Sequence, residues 1–339
     1  MTPATRSGLL PLVFVMCLGA SAQAPSPDRR PYQAYQRTAL KPQSSVPWQP
    51  PFPAYSTEPF LCQGNALYFP ATDSVTDSML PVWKINVDKG EKETVFQVPA
   101  EFQDGYRFAT YAVSPTGLLT EAVVNEKTGE TELLRFASDG SYTSRARLSV
   151  PKFFHVEYLA IFDTEQMFIA GYVASGGPKA LVGRPTVAIF SPDGELVKKI
   201  SALQASQKKD SIDPREISER SVAMGGDGNL YYLRGREVAV ISPGGDLVRR
   251  LLIERPEKEY VPVKLDFSEG VVSVRFMKPM PKQVPTILMR TFDSNTGELL
   301  AEYSPGEGLT NAQLCYSRRE GYLFMGKKDG KTAFVRATP

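Results

Sequence analysis

Ser221 to Ile253 reads SVAMGGDGNLYYLRGREVAVISPGGDLVRRLLI. Four short runs rich in β-branched and aromatic residues, Ser221 to Met224, Leu230 to Arg234, Glu237 to Ser242 and Asp246 to Ile253, alternate with Gly, Asp, Asn and Pro punctuation. No run carries a helical period, so the stretch predicts four strands joined by turns. Four consecutive antiparallel strands in a unit of about 50 residues describe one blade of a β-propeller.

The same punctuation recurs on both sides of this unit. One class of turn lies at Asp88 to Gly90, Ser138 to Gly140, Ser191 to Gly194, Ser242 to Gly245 and Asp293 to Gly297, with its glycines 50, 54, 51 and 52 residues apart. After four of these turns a similar strand follows: Tyr142 to Leu148, Glu195 to Ile200, Asp246 to Ile253 and Glu298 to Tyr303. A second class of turn comes earlier in each repeat: Gly64 with Asn65, Pro115 to Gly117, Asp163 to Glu165, Gly225 to Asn229, Ser268 to Gly270 and Arg319 to Gly321. Six such turns make six repeats.

The last repeat holds strands near Gln313 to Ser317, Tyr322 to Lys327 and Thr332 to Arg336, and the chain then stops one strand short. In a closed ring the amino-terminal side supplies that strand, and a piece between Gln43 and Tyr55 is expected to do so. Closure removes exposed sheet edges. The fold class is therefore all-β, a six-bladed β-propeller of four-stranded antiparallel blades over 55–339, closed by an N-terminal strand.

The fourth unit, with Gly225-Gly226-Asp227-Gly228-Asn229-Leu230-Tyr231-Tyr232, Val238 to Ser242 and Gly244-Gly245-Asp246-Leu247, resembles an NHL-type repeat, and Phe190 to Leu196 in the third unit echoes it. The resemblance implies a six-bladed propeller that binds proteins, nucleic acid or small ligands. Similar propellers of the gluconolactonase and strictosidine-synthase kind are enzymes, but their metal-binding acidic and Asn positions find no residue-by-residue match here.

Residues 1–22 have the layout of a cleavable secretory signal: Arg6, an apolar run from Leu9 to Leu18, then Ala20, Ser21 and Ala22 before the expected cut. The apolar run is shorter than the roughly 20 residues of a bilayer span, and no later stretch approaches one. A secreted or periplasmic protein is expected, in an oxidising compartment. Between Pro25 and Pro53 eight prolines fall in 29 residues, so 23–54 reads as a Pro-rich linker ending in the closing strand. Without Arg6 the chain carries 38 basic against 37 acidic residues, which gives no global attraction to nucleic acid. A monomer is expected.

His155 is the only histidine, which leaves little room for His-based triads or multi-histidine metal sites. It reads either as an imidazole oriented by Glu157 at a channel mouth or as a structural residue. No phosphate loop, EF-hand or zinc spacing is present, so neither cofactor nor metal is expected. Cys62 and Cys315 precede the inner turns of the first and sixth units. A disulfide across the ring seam and a pair of buried free thiols are both open readings.

Propeller connections sort onto two faces. Those joining first to second and third to fourth strands are tight here, whereas the opposite face carries Pro70 to Pro81, Pro99 to Tyr106, Tyr172 to Pro185, Leu203 to Glu219, Glu254 to Pro262 and Met277 to Pro285. Function usually lives on loops held by a rigid frame. The inner strands begin on this long-loop face with Arg107, His155, Arg220, Lys264 and Asn311 in comparable positions, and Tyr106 and Tyr172 stand nearby. Two readings remain: a cationic mouth that takes a small anionic ligand or an acidic protein segment, or cations each paired with Asp104, Glu157, Glu219 or Asp266. The functional expectation is an exported, non-catalytic propeller that binds a ligand or protein partner through its long-loop face. The alternative is a metal-dependent hydrolase or lactonase.

Overall fold

The computed structural model describes residues 36–73, 79–173, 186–203, 220–280 and 284–339. The expected signal at 1–22 and the loop residues 174–185 and 204–219 lie outside the described residues.

Two strands, β1 (Arg37–Ala39) and β2 (Lys41–Pro47), precede the blades. Blade 1 holds β3 (Tyr55–Ser56), β4 (Leu61–Gln63), β5 (Ala66–Thr72), β6 (Val82–Asn86) and β7 (Glu91–Phe96). Its inner strand is split, with β3 and β4 both pairing to β5. Blade 2 is β8 (Tyr106–Val113), β9 (Leu119–Asn125), β10 (Thr131–Phe136) and β11 (Tyr142–Arg147). Blade 3 is β12 (Phe154–Ile161), β13 (Met167–Val173), β14 (Thr186–Phe190) and β15 (Leu196–Lys199). Blade 4 is β16 (Arg220–Met224), β17 (Leu230–Arg234), β18 (Glu237–Ile241) and β19 (Leu247–Leu252). Blade 5 is β20 (Val261–Ser268), β21 (Val271–Lys278), β22 (Thr286–Asp293) and β23 (Leu299–Ser304), and blade 6 is β24 (Gln313–Ser317), β25 (Gly321–Lys328) and β26 (Lys331–Thr338). Within each blade the strands pair with antiparallel neighbours in sequence order, the split β3 and β4 sharing β5.

The repeated glycines are a conformational requirement. Gly90, Gly140, Gly194, Gly245 and Gly297 have φ of +70, +92, +84, +76 and +75°, a left-handed backbone that costs a side chain and suits glycine. The pairing of third and fourth strands shifts register beside each of these turns, as between Val240 and Ile241.

Both faces of each blade are buried, as a propeller demands. In β17, Leu230 and Tyr232 pack toward blade 3, while Tyr231 and Leu233 pack toward blade 5. Six apolar clusters fill the spaces between neighbouring blades, and one of them joins blade 6 to blade 1 through Leu314, Leu323 and Phe334 against Leu67, Phe69 and Trp83. The ring is closed.

The missing strand is β2, antiparallel to β26 from Lys41↔Thr338 to Pro47↔Ala333. It starts two residues before the Gln43 to Tyr55 window and ends at Pro47, because Trp48 turns into the core, stacking on Phe334 at 5.4 Å. Pro42 and Pro47 are tolerated since an outermost strand has one side free of hydrogen bonding. The segment read as linker also carries β1, which pairs in parallel with β23. Arg37 there contacts Glu302 at 2.7 Å, and Glu302 holds the buried Arg290 at 2.6 Å.

Second-to-third connections are long only in blades 1, 3 and 5 (73–81, 174–185 and 279–285). Blades 2, 4 and 6 turn within 126–130, 235–236 and 329–330. The longer second-to-third connections thus fall in alternate blades along the chain.

Candidate functional site

The inner strands converge on the channel, and bulges aim their side chains. Register shifts leave Ala109, Glu157, Val263 and Leu314 as the extra residues in β8, β12, β20 and β24. A bulge re-aims a side chain. Only in blade 3 is the re-aimed residue charged.

Glu157 uses that position to meet two candidates. Its Oε1 lies 3.2 Å from His155 Nε2, and its carboxylate accepts a hydrogen bond from Tyr172, which faces His155 across the β12–β13 ladder. The His155 and Tyr172 rings stand 5.3 Å apart. Burial, with Glu157 adding to it, pushes the Tyr172 phenol up to about 12. His155 Nδ1 is buried without a hydrogen-bond partner.

Phe153 sits at the lip of this cluster. It is 48% exposed, and its φ of +57° puts a bulky residue in the left-handed region, a strain of roughly 1–2 kcal/mol. Its N–H donates to Gly129 O at 2.6 Å. Its ring lies where a Cβ on Gly129 would come within 2.8 Å, so the glycine makes room for the aromatic.

The remaining candidates spread around the mouth. Arg107 faces Glu126 at 4.0 Å, both about half exposed. Tyr106 donates to Glu132 at 3.0 Å and packs on Phe102 at 5.1 Å. Arg220 opens β16 opposite Arg234. Lys264 is nearly enclosed: its Nζ donates to Phe60 O at 3.2 Å and lies 3.5 Å from Asp266. Burial lowers its pKa against the opposing pull of Asp266. Arg275 beside it donates to Gln313 O at 2.8 Å and to Glu58 at 2.9 Å. Asn311 donates to Pro285 O.

Of the two readings of the mouth, the geometry around three of these side chains is that of pairing. Arg107, His155 and Lys264 each face a carboxylate, and two of the four partners named from sequence, Glu157 and Asp266, take that role. Glu126 replaces Asp104 because the 126–130 turn lies beside the start of β8. The structure brings His155 and Tyr172 together and keeps Lys264 in a separate network of blades 5, 6 and 1. Sequence reasoning missed Phe153, whose left-handed backbone leaves no mark in the residue types. It named Glu157 as the partner of His155 but missed its hydrogen bond from Tyr172 and the bulge that aims it, for which a signal existed. Core positions run Phe154, Val156, then Leu159, Ile161, and the slip of phase across 157 marks the bulge.

On the tight-turn face, Cys62 and Cys315 form a disulfide with Cα atoms 6.2 Å apart. Both line a cavity of about 240 Å³ with Phe267, Tyr316, Arg319 and Arg336. Among the described residues no group of three or more His, Cys, Asp or Glu side chains is placed to hold a metal ion, and no helix is long and apolar enough to cross a membrane.

No protein-family model matches the sequence, and no curated protein matches it. Among solved structures the chain is similar to the PQQ-bound aldose sugar dehydrogenase of Streptomyces coelicolor, 12% identical, covering 88% of this chain and 97% of that one, with a TM-score of 0.45. A luciferin-regenerating enzyme is 12% identical, covering 81% and 88%, with a TM-score of 0.47. The WD40 propeller domain of Doa1 is 11% identical, covering 89% and 97%, with a TM-score of 0.43. These neighbours include both enzymes and a WD40 domain, and likeness at this level bears on neither activity nor ligand.

Proposed function

We propose that this chain is an exported, non-catalytic β-propeller of NHL-like type that binds a ligand or protein partner through its long-loop face, at the mouth between blades 2 and 3. The observation that carries the reading is Phe153, a strained, half-exposed aromatic held beside the bulge-aimed Glu157 with His155 and Tyr172. Strain retained at an exposed bulky residue is a hallmark of binding and switch positions. The mouth carboxylates Glu58, Glu126, Glu157 and Asp266 are engaged with Arg275, Arg107, His155 and Lys264. That engagement favours a polar recognition surface over a lactonase centre, whose carboxylates converge on a metal. An incoming anion displaces Glu126 from Arg107 at least cost, since that pair is the longest and most exposed of the four.

Hydrogen exchange tests the reading. The protein is purified with whatever accompanies it, and the loaded and stripped forms are compared. Slower exchange in 153–157 and 172–173 on loading is the expected result. Protection confined to the turns 114–118 and 318–320 contradicts it.

A further inference from the structure

The seam between blades 6 and 1 is tied in several ways, and only one tie is covalent. β2 pairs with β26 along the blade edge, Trp48 stacks on Phe334 and meets Phe69 edge to face, and Lys264 and Arg275 reach over to Phe60 and Glu58. Gln63 fastens blade 1 to blade 2 through Ser114 O and Pro115 O. These contacts close the ring on their own.

The disulfide is placed unlike a buried staple. Cys62 is exposed, in the three-residue strand β4, whereas Cys315 is 5% exposed. Both line the cavity of about 240 Å³, which at about 30 Å³ per water is room enough for a small thiol. Cys62 is thus the solvent-facing residue of the pair and Cys315 the core-facing one.

We propose that Cys62–Cys315 is a redox-active disulfide that exchanges with a small dithiol while the propeller stays folded, entered at Cys62 from this cavity. A thiolate of the dithiol attacks Cys62 Sγ; the bond between the two protein sulfurs breaks, and Cys315 leaves with the electron pair and takes up a proton. The dithiol's second sulfur, as thiolate, then displaces Cys62, which is protonated in turn. The dithiol ends as its disulfide and the protein as two thiols, with two electrons and two protons transferred.

The test keeps the protein intact. It is incubated in native buffer with dithiothreitol, trapped with iodoacetamide and weighed by mass spectrometry, with far-ultraviolet circular dichroism followed in parallel. Both cysteines acquire label without denaturant, at a rate first-order in dithiothreitol and insensitive to sub-denaturing urea, while the β signal is kept. In Cys315→Ser, oxidised glutathione adds at Cys62. Labelling that climbs steeply with urea, or that begins only when the β signal is lost, overturns the proposal. If Cys315→Ser does not fold, the urea dependence of the wild-type rate decides alone.

Discussion

Cys62 and Cys315 stand 253 residues apart in the chain and 6.2 Å apart at their Cα atoms. A cross-link over so long a loop restricts the unfolded chain strongly, and the chain-entropy model assigns it about 5–6 kcal/mol. Replacing both residues by alanine should lower the unfolding free energy by that amount, read from urea unfolding, with a steeper slope because the unfolded chain without the cross-link is more expanded. The ring itself should persist, since β2, Trp48 and Lys264 still close it; loss of the native circular dichroism would show that closure depends on the bond.

Glu121 is fully buried between blades 1 and 2, opposite Tyr111 and Leu134, and neither carboxyl oxygen has a hydrogen-bond partner. Burial raises its pKa well above the ordinary value. The folded state therefore holds this proton more tightly than the unfolded one. The associated stability is complete below the ordinary carboxylate pKa of about 4.3 and is lost as pH rises through the raised value. Glu121→Leu should stabilise the protein at neutral pH by about 1–3 kcal/mol. The gap between variant and wild type should shrink toward acid pH in thermal melts. A gap independent of pH would mean that the carboxyl binds its proton equally in the folded and unfolded states, contrary to the effect of burial.

Glu302 receives a buried guanidinium from Arg290 and a half-exposed one from Arg37 on β1. Glu302→Ala leaves Arg290 in the core without its carboxylate and should cost about 3–5 kcal/mol. Arg37→Ala removes the solvent-facing partner and should cost about 1 kcal/mol or less. Equal losses, measured by urea unfolding, would contradict the assignment of Arg290 as the buried member.

Tyr172 ionises at about 12, two units above its ordinary value of about 10. Part of that rise comes from Glu157, so Glu157→Gln should move the phenol back toward its ordinary value while the folding free energy stays nearly unchanged. Ultraviolet titration of wild type, Glu157→Gln and Tyr172→Phe isolates the band. A Tyr172 band indifferent to residue 157 would separate the two groups.

Much of the ring was written in turn chemistry. Gly90, Gly140, Gly194, Gly245 and Gly297 announce themselves because a left-handed turn admits little else, and the strands of the fourth unit fall within a residue or two of their expected bounds. β1 was not legible, because Arg37, Thr38 and Ala39 carry no alternation and owe their conformation to the edge of β23. The mouth was legible in its cations and not in their partners. Glu126 reaches Arg107 from a turn 19 positions along the chain, and Lys264 answers to Phe60 across the seam. Such pairings are set by blade packing, which residue order alone does not display.

The most direct test of the binding face is site-specific photocrosslinking in the native compartment. A benzoylphenylalanine is placed at Phe153, 48% exposed at the long-loop mouth, and in a separate variant at Leu118, 42% exposed in a tight turn of the opposite face. The account predicts a discrete adduct from position 153 that is lost when Arg107→Ala and Glu157→Gln are added, and none from position 118. Adducts from position 118 alone, or identical adducts from both, would contradict it.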